Sequence, residues 1–136
     1  MFRVLYGGCF DLFHCGHLRM FKKIKEMGFH LTVYVASDKE IIEIKGKKRP
    51  IIPGKERAEM LEGCKYIDKV LYSEDFVTNE EWIRILKPDI YIQNSGGYNK
   101  EDEDVCTQLG VSILKLPREI PPSRLDTTKI IKKCKA

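Results

Sequence analysis

The sequence predicts an α/β fold, a doubly wound five-stranded parallel sheet in a single domain spanning residues 1–136. Three observations predict it. Short β-branched and aromatic runs alternate with amphipathic helical segments along the whole chain. A glycine-rich turn joins the first apolar run to the first helix. The length suits one hydrophobic core, and no internal repeat, low-complexity tract or interdomain linker divides it.

Residues 2–6 read as a short buried strand, closed by Gly7 and Gly8. From His17 the pattern turns helical: Leu18, Phe21, Ile24 and Met27 recur every third residue, with Lys22, Lys23 and Lys25 on other faces, and Gly28 stops the run. Residues 31–36 form a β-branched and aromatic run, hence a second strand. Ser37 and Asp38 offer a turn or helix cap. A basic stretch, Lys45 to Arg49, leads into a loop with two prolines at 50–54.

Residues 56–63 read as a helix with Ala58, Met60 and Leu61 as its apolar members, and residues 69–72 as a third strand. A helix over 79–86 turns Trp82, Ile85 and Leu86 inward. Pro88 and Asp89 introduce a fourth strand at 90–93, which Asn94-Ser95-Gly96-Gly97 breaks. A helix over 101–109 closes at Gly110, and a fifth strand covers 111–116. A loop with three prolines occupies 117–123, before a short final helix at 127–134. Parallel sheets covered on both faces bind ligands beyond the carboxyl ends of their strands. That rule places the chemistry in residues 7–17, 37–49, 73–78, 94–99 and 117–127.

Composition narrows the class. Apolar residues make up 43% and charged residues 32%, a globular balance that argues against disorder. No run approaches the roughly 18 apolar residues a membrane span requires. The opening hexapeptide is too short for a signal peptide. Five widely spaced cysteines, with no C-x-x-C pair, fit free thiols in a reducing cytosol, so the expected location is cytoplasmic. The net charge of +4 suits a phosphorylated ligand. The basic runs at 45–49 and 129–135 are not interleaved with aromatics and match no nucleic-acid motif, so a nucleic-acid partner is not expected.

The strongest signal is Gly7-Gly8-Cys9-Phe10-Asp11-Leu12-Phe13-His14-Cys15-Gly16-His17, set between a strand and a helix. The glycines let backbone N–H groups approach a ligand. The helix start aims its positive end at the same place, which favours phosphate. His14 and His17 add two imidazoles, and Gly16 removes a side chain that would crowd them. The bland reading is a glycine-rich turn with incidental histidines. A zinc site from Cys9, His14, Cys15 and His17 has the right residue types, but four ligands in nine residues with no distant second pair is poor zinc spacing.

This stretch resembles the H-x-G-H signature of the nucleotidyltransferase superfamily, in the G-x-F-D-x-x-H-x-G-H form of the cytidylyltransferases. Gly8-Cys9-Phe10-Asp11 and His14-Cys15-Gly16-His17 match it residue by residue. The family's second motif, R-x-x-x-I-S-T-T, is similar to the segment from Arg118 to Ile130, with Thr127 and Thr128 in place and Asp126 where the family has serine. Either Arg118 or Arg124 answers to the motif arginine. Lys45 to Pro50, with Glu56 and Arg57, resembles the family's lysine loop and following helix.

The resemblance implies a Rossmann-like fold and nucleotidyl transfer, in which an acceptor phosphate attacks the α-phosphorus of a nucleoside triphosphate directly. It assigns His14, His17, Lys45 and Arg118 to catalysis, the histidines on the α-phosphate and Lys45 on the phosphates. Gly8, Cys9, Phe10, Asn94, Gly96, Arg124, Thr127 and Thr128 would bind the nucleotide. Asp11, Lys47 and Arg57 would serve the acceptor, with a metal role open to Asp11 and a dimer role open to Arg57. Mg²⁺ is expected on the triphosphate, and a homodimer is the expected assembly. The family's acidic residue in the loop after the fourth strand is missing from Asn94-Ser95-Gly96-Gly97-Tyr98-Asn99. The favoured expectation is CTP with a small phosphorylated alcohol or polyol resembling glycerol-3-phosphate. The alternatives are ATP-dependent adenylylation of FMN or a sugar phosphate, and a non-catalytic nucleotide-binding module.

Overall fold

β-Branched and aromatic residues at alternating positions make five strands, and the segments between them coil because their apolar residues fall on one helical face. The computed structural model describes residues 1–94 and 99–135. Its elements run β1 (Arg3–Gly8), α1 (Cys15–Glu26), β2 (His30–Val35), α2 (Asp38–Lys45), α3 (Gly54–Glu62), β3 (Lys69–Tyr72), α4 (Asn79–Leu86), β4 (Ile90–Asn94), α5 (Lys100–Leu109), β5 (Ser112–Leu116) and α6 (Thr127–Lys135). The sheet is parallel throughout, in the order β3-β2-β1-β4-β5. The chain leaves β1 toward β2 and leaves β4 toward β5, so the winding reverses between β1 and β4. That reversal opens a crevice at their carboxyl ends.

One face of the sheet buries Val4, Tyr6, Leu31, Val33, Val35 and Ile92 against Met20, Phe21 and Ile24 of α1 and Ala58 and Leu61 of α3. The other buries Leu5, Tyr34 and Tyr91 against Ile83 of α4 and Val105 and Cys106 of α5. The two-sided predicted architecture is therefore the observed one. Gly7 is required by the second face: a Cβ there would fall 1.9 Å from the Tyr34 ring carbon that carries the hydroxyl.

Three local expectations are corrected. Residues 38–45 form a full helix where only a cap was read; Ser37 Oγ accepts from the Glu40 N–H, but Ile41 is the helix's one buried residue, so it shows little apolar periodicity. Ile83 rather than Ile85 is the inward residue of α4, and Ile85 is 66% exposed. Met60 on α3 is also exposed, at 59%. Among the described residues, no helix is long and apolar enough to cross a membrane.

Candidate active site

The crevice is a cleft of about 340 Å³ at the carboxyl edge of the sheet. It gathers Gly8, Cys9, Phe10, Asp11, His14, His17, Lys45, Asn94, Arg118, Thr127 and Thr128 from five separate segments. Lys47, Arg57 and Arg124 are not among its walls. Gly96 lies outside the described residues.

His14 and His17 are built into the start of α1. His14 is the N-cap, and its Nδ1 accepts from the Gly16 N–H at 3.1 Å. His17 reaches back, and its Nδ1 accepts from the His14 N–H at 3.2 Å. The pair forms a capping box made of imidazoles rather than hydroxyl and carboxylate. A backbone N–H can only donate, so each Nδ1 carries a lone pair and each ring proton sits on Nε2. The rings stack 3.7 Å apart. Gly16 is needed for this packing: a Cβ there would lie 2.9 Å from His14 Cε1 and 3.1 Å from the Glu119 carbonyl. The crowding that the glycine relieves thus comes from the protein itself.

Burial first, then the neighbouring His14, Arg118 and Lys45, push the His17 pKa down from 6.5 to about 3. Burial, followed by Arg118, also lowers that of His14. Both rings are therefore neutral Nε2–H donors at physiological pH. Rate–pH profiles should show no acid-limb inflection near 6.5, and one there would contradict the paired-acceptor geometry. Stability follows the opposite path. The unfolded chain takes up the His17 proton near pH 6.5, the folded chain only near 3, so this contribution is complete above pH 6.5 and is lost as pH falls toward 3. Denaturant titrations at neutral and mildly acid pH should show the loss, and a His17→Asn variant should show less of it.

Helix ends divide the sheet edge by charge. α1 and α6 carry no acidic residue in their first turns, whereas α2, α3, α4 and α5 carry Asp38 and Glu40, Glu56, Glu80 and Glu81, and Glu101, Asp102 and Glu103. A helix N-terminus without acidic side chains attracts phosphate, so α1 is the helix end best suited to an anion, with the Asp126-capped start of α6 beside it. Lys45, Arg49 and Arg118 add cationic side chains to the same cleft. Asp126 caps α6 by accepting from the Lys129 N–H at 2.8 Å and lies 3.7 Å from Arg118.

Three expected ligand residues have other partners. The buried Asp11 carboxylate accepts from the Ile51 and Ile52 N–H groups at 2.8 and 3.0 Å and lies 3.5 Å from Arg49. Its carbonyl accepts from the Thr127 hydroxyl at 2.7 Å, which ties α6 to the first loop. Asp11 thus ties the cleft walls together from within the cleft lining. Arg57, read as an acceptor or interface residue, is only 1% exposed. Its guanidinium donates to the Cys9 carbonyl, the Ile52 carbonyl and Asp38 at 2.7, 2.9 and 2.7 Å. That burial removes it from direct contact with substrate or partner. Arg124 sits in a left-handed turn at φ 60 and its N–H bonds Pro121, so Arg118 is the arginine delivered to the cleft. Arg49 was missed as an individual residue, because the basic run gave no sign of which member turns inward.

No cluster of three potential metal ligands occurs among the described residues. The Asp11 carboxylate is engaged by the Ile51 and Ile52 N–H groups. An ion carried by a ligand's own phosphates is what this donor set accommodates.

Neutral donors, helix N-termini and cations around one cleft are the groups a nucleotidyltransferase needs for its phosphates. The chain belongs to the cytidylyltransferase-like family, whose model matches residues 5–133. It is 36% identical to the FAD synthase of Pyrococcus abyssi over 135 residues, covering 96% of this chain and 90% of that one. It is also 39% identical to the bifunctional protein HldE of Hahella chejuensis over 98 residues, which cover 72% of this chain but 20% of that protein. Among solved structures, the lipopolysaccharide core biosynthesis protein of Thermoplasma volcanium aligns with a TM-score of 0.71 and 25% identity, over 88% of this chain and 97% of that chain.

Proposed function

We propose that this nucleotidyltransferase transfers AMP from ATP to FMN, forming FAD and pyrophosphate. The observation that carries the choice of donor and acceptor is the match to an FAD synthase across nearly the full length of both chains. It favours the adenylylation alternative over CTP and glycerol-3-phosphate. FAD is FMN joined to AMP through a pyrophosphate linkage, so the phosphate oxygen of FMN attacks the α-phosphorus of ATP. One P–O bond forms, the α–β P–O bond breaks, and pyrophosphate leaves with the electron pair.

The cleft residues divide this work. His14 and His17 donate Nε2–H groups to the α-phosphate oxygens, where negative charge builds in the transition state. Thr128, the N-terminus of α6, Arg118 and Arg49 receive the β- and γ-phosphates, and Lys45 closes over them from the end of α2. Thr127 fixes α6 against Asp11. Mg²⁺ bound to the triphosphate would neutralise part of its charge. Pairing of two chains is a further proposal, resting on the resemblance alone.

The test is pyrophosphate release with ATP or CTP, each against FMN, glycerol-3-phosphate and sugar phosphates. Turnover is expected with ATP and FMN. Turnover with CTP and a polyol phosphate alone would return the enzyme to the cytidylyltransferase reading. No His17-dependent release with any pair would mark a binding module.

A further inference from the structure

The crevice where the winding reverses holds a side-chain contact that the mechanism above does not use. Tyr6, on β1, lines the catalytic cleft and is 6% exposed. Asn94, the last residue of β4, lines it too, and its Nδ2 donates to the Tyr6 hydroxyl at 3.0 Å. That bond joins residues 88 apart in sequence and bridges β1 and β4 at their carboxyl ends. An open α/β sheet binds its ligand at this reversal point.

A phenol has one proton to donate as well as lone pairs to accept with. Asn94 uses the oxygen as an acceptor, and nothing among the described residues accepts the proton. Burial raises the pKa of Tyr6, so the hydroxyl keeps that proton at physiological pH. The ring is also fixed in place, with Phe10 and Phe21 edge-on to it at centroid distances of 5.9 and 6.2 Å. Nearly buried donors are almost always paired, so an unused one beside a ligand cleft points to the ligand.

The charges around the cleft say which part of the ligand it meets. The triphosphate tail and the acceptor's own phosphate are anionic, and both are drawn to the walls that carry Lys45, Arg49 and the start of α1. Tyr6 and Asn94 make a wall of uncharged groups, and Arg118 next to them is faced by Asp126 at 3.7 Å. Gly7 and Gly8 line the same side without side chains, which leaves room for bulk over β1. This wall therefore suits the uncharged half of the donor, its nucleoside. The ribose is the part of a nucleoside whose hydroxyls accept and donate as a phenol does.

We propose that Tyr6 is a specificity-determining residue whose hydroxyl, held by Asn94, donates to a ribose hydroxyl of the bound triphosphate and so selects ribonucleotides over deoxyribonucleotides. The inference rests on nucleotidyl transfer from a nucleoside triphosphate, not on FMN as the acceptor. A deoxyribose lacking that oxygen leaves the Tyr6 donor unpaired in a closed site, which is how a site built for a hydroxyl rejects the analogue without it.

The experiment is calorimetric binding of ATP and its two deoxy analogues, each lacking one ribose hydroxyl, in the presence of Mg²⁺. Wild type is compared with Tyr6→Phe, which keeps the ring and removes only the oxygen, and thermal melting checks the fold. Wild type should bind at least one analogue about tenfold more weakly than ATP. Tyr6→Phe should lose a similar factor for ATP and should no longer separate ATP from that analogue. A purely structural role, or a bond to phosphate, would weaken all three nucleotides alike and leave the separation intact, which would overturn the assignment. Equal binding of all three by wild type would overturn it without any variant. If wild type binds no nucleoside triphosphate, this inference and the nucleotidyltransferase reading fall together. The expected separation without turnover of FMN would support the inference and remove only the acceptor.

Discussion

Replacing His17 with asparagine is expected to lower kcat at least about a hundredfold, with the folded state retained. The substitution separates the two jobs of this side chain. An asparagine Oδ1 can take the place of Nδ1 and accept from the His14 N–H, keeping the reach-back bond of the capping box. It cannot reproduce the Nε2–H, which is the donor left for the α-phosphate. The loss should therefore appear in kcat, with the KM for ATP changed much less, because the donor acts where charge develops. Steady-state kinetics, with circular dichroism as the folding control, checks this. Wild-type turnover in the variant would remove His17 from the chemistry and leave it only a capping role.

Replacing Arg57 with methionine should destabilise the protein by about 3 kcal/mol. The buried guanidinium donates to two carbonyls, Cys9 O and Ile52 O, and a thioether in its place donates to neither. The ion pair with Asp38 contributes less, since Asp38 is 41% exposed and can hydrate. For a chain of this length the change corresponds to a melting temperature lower by roughly 10 °C. Because Arg57 acts on the Cys9 carbonyl, the surviving folded fraction should also bind ATP less well, through a loosened first loop. A melting temperature within about 2 °C of wild type would show that those carbonyls find other partners. Arg57→Lys should recover only part of the loss, since one ammonium cannot span three acceptors on three elements.

The order of strands and helices was legible because every strand is a dense β-branched or aromatic run and most helices carry an apolar stripe. α2 escaped because a single buried residue, Ile41, leaves no stripe to read. The first loop was legible because its glycines and histidines are unusual together and fall at a strand–helix junction. What local pattern cannot show is which polar atoms are already engaged. Asp11 and Arg57 have the residue types of ligand contacts, yet their partners lie 40 and 48 residues away in sequence, at Ile51 and Cys9. The competition between Arg118 and Arg124 was likewise decided by backbone placement, with Arg124 held in a left-handed turn. Gln93 reads in the sequence as one more polar residue near a strand end. Only the packed structure shows that its carboxamide has no partner among the described residues.

The contrast between the acid-free first turn of α1 and the acidic first turns of α2, α3, α4 and α5 also bears on the encounter with a ligand. A phosphorylated ligand diffusing toward the cleft meets Lys45, Arg49, Arg118 and the start of α1 there, and the acidic first turns of α2, α3, α4 and α5 along the rest of the edge. It is turned before it touches the protein, phosphates toward the histidines. Ionic strength should therefore slow the capture of nucleotide more than it slows the step that follows.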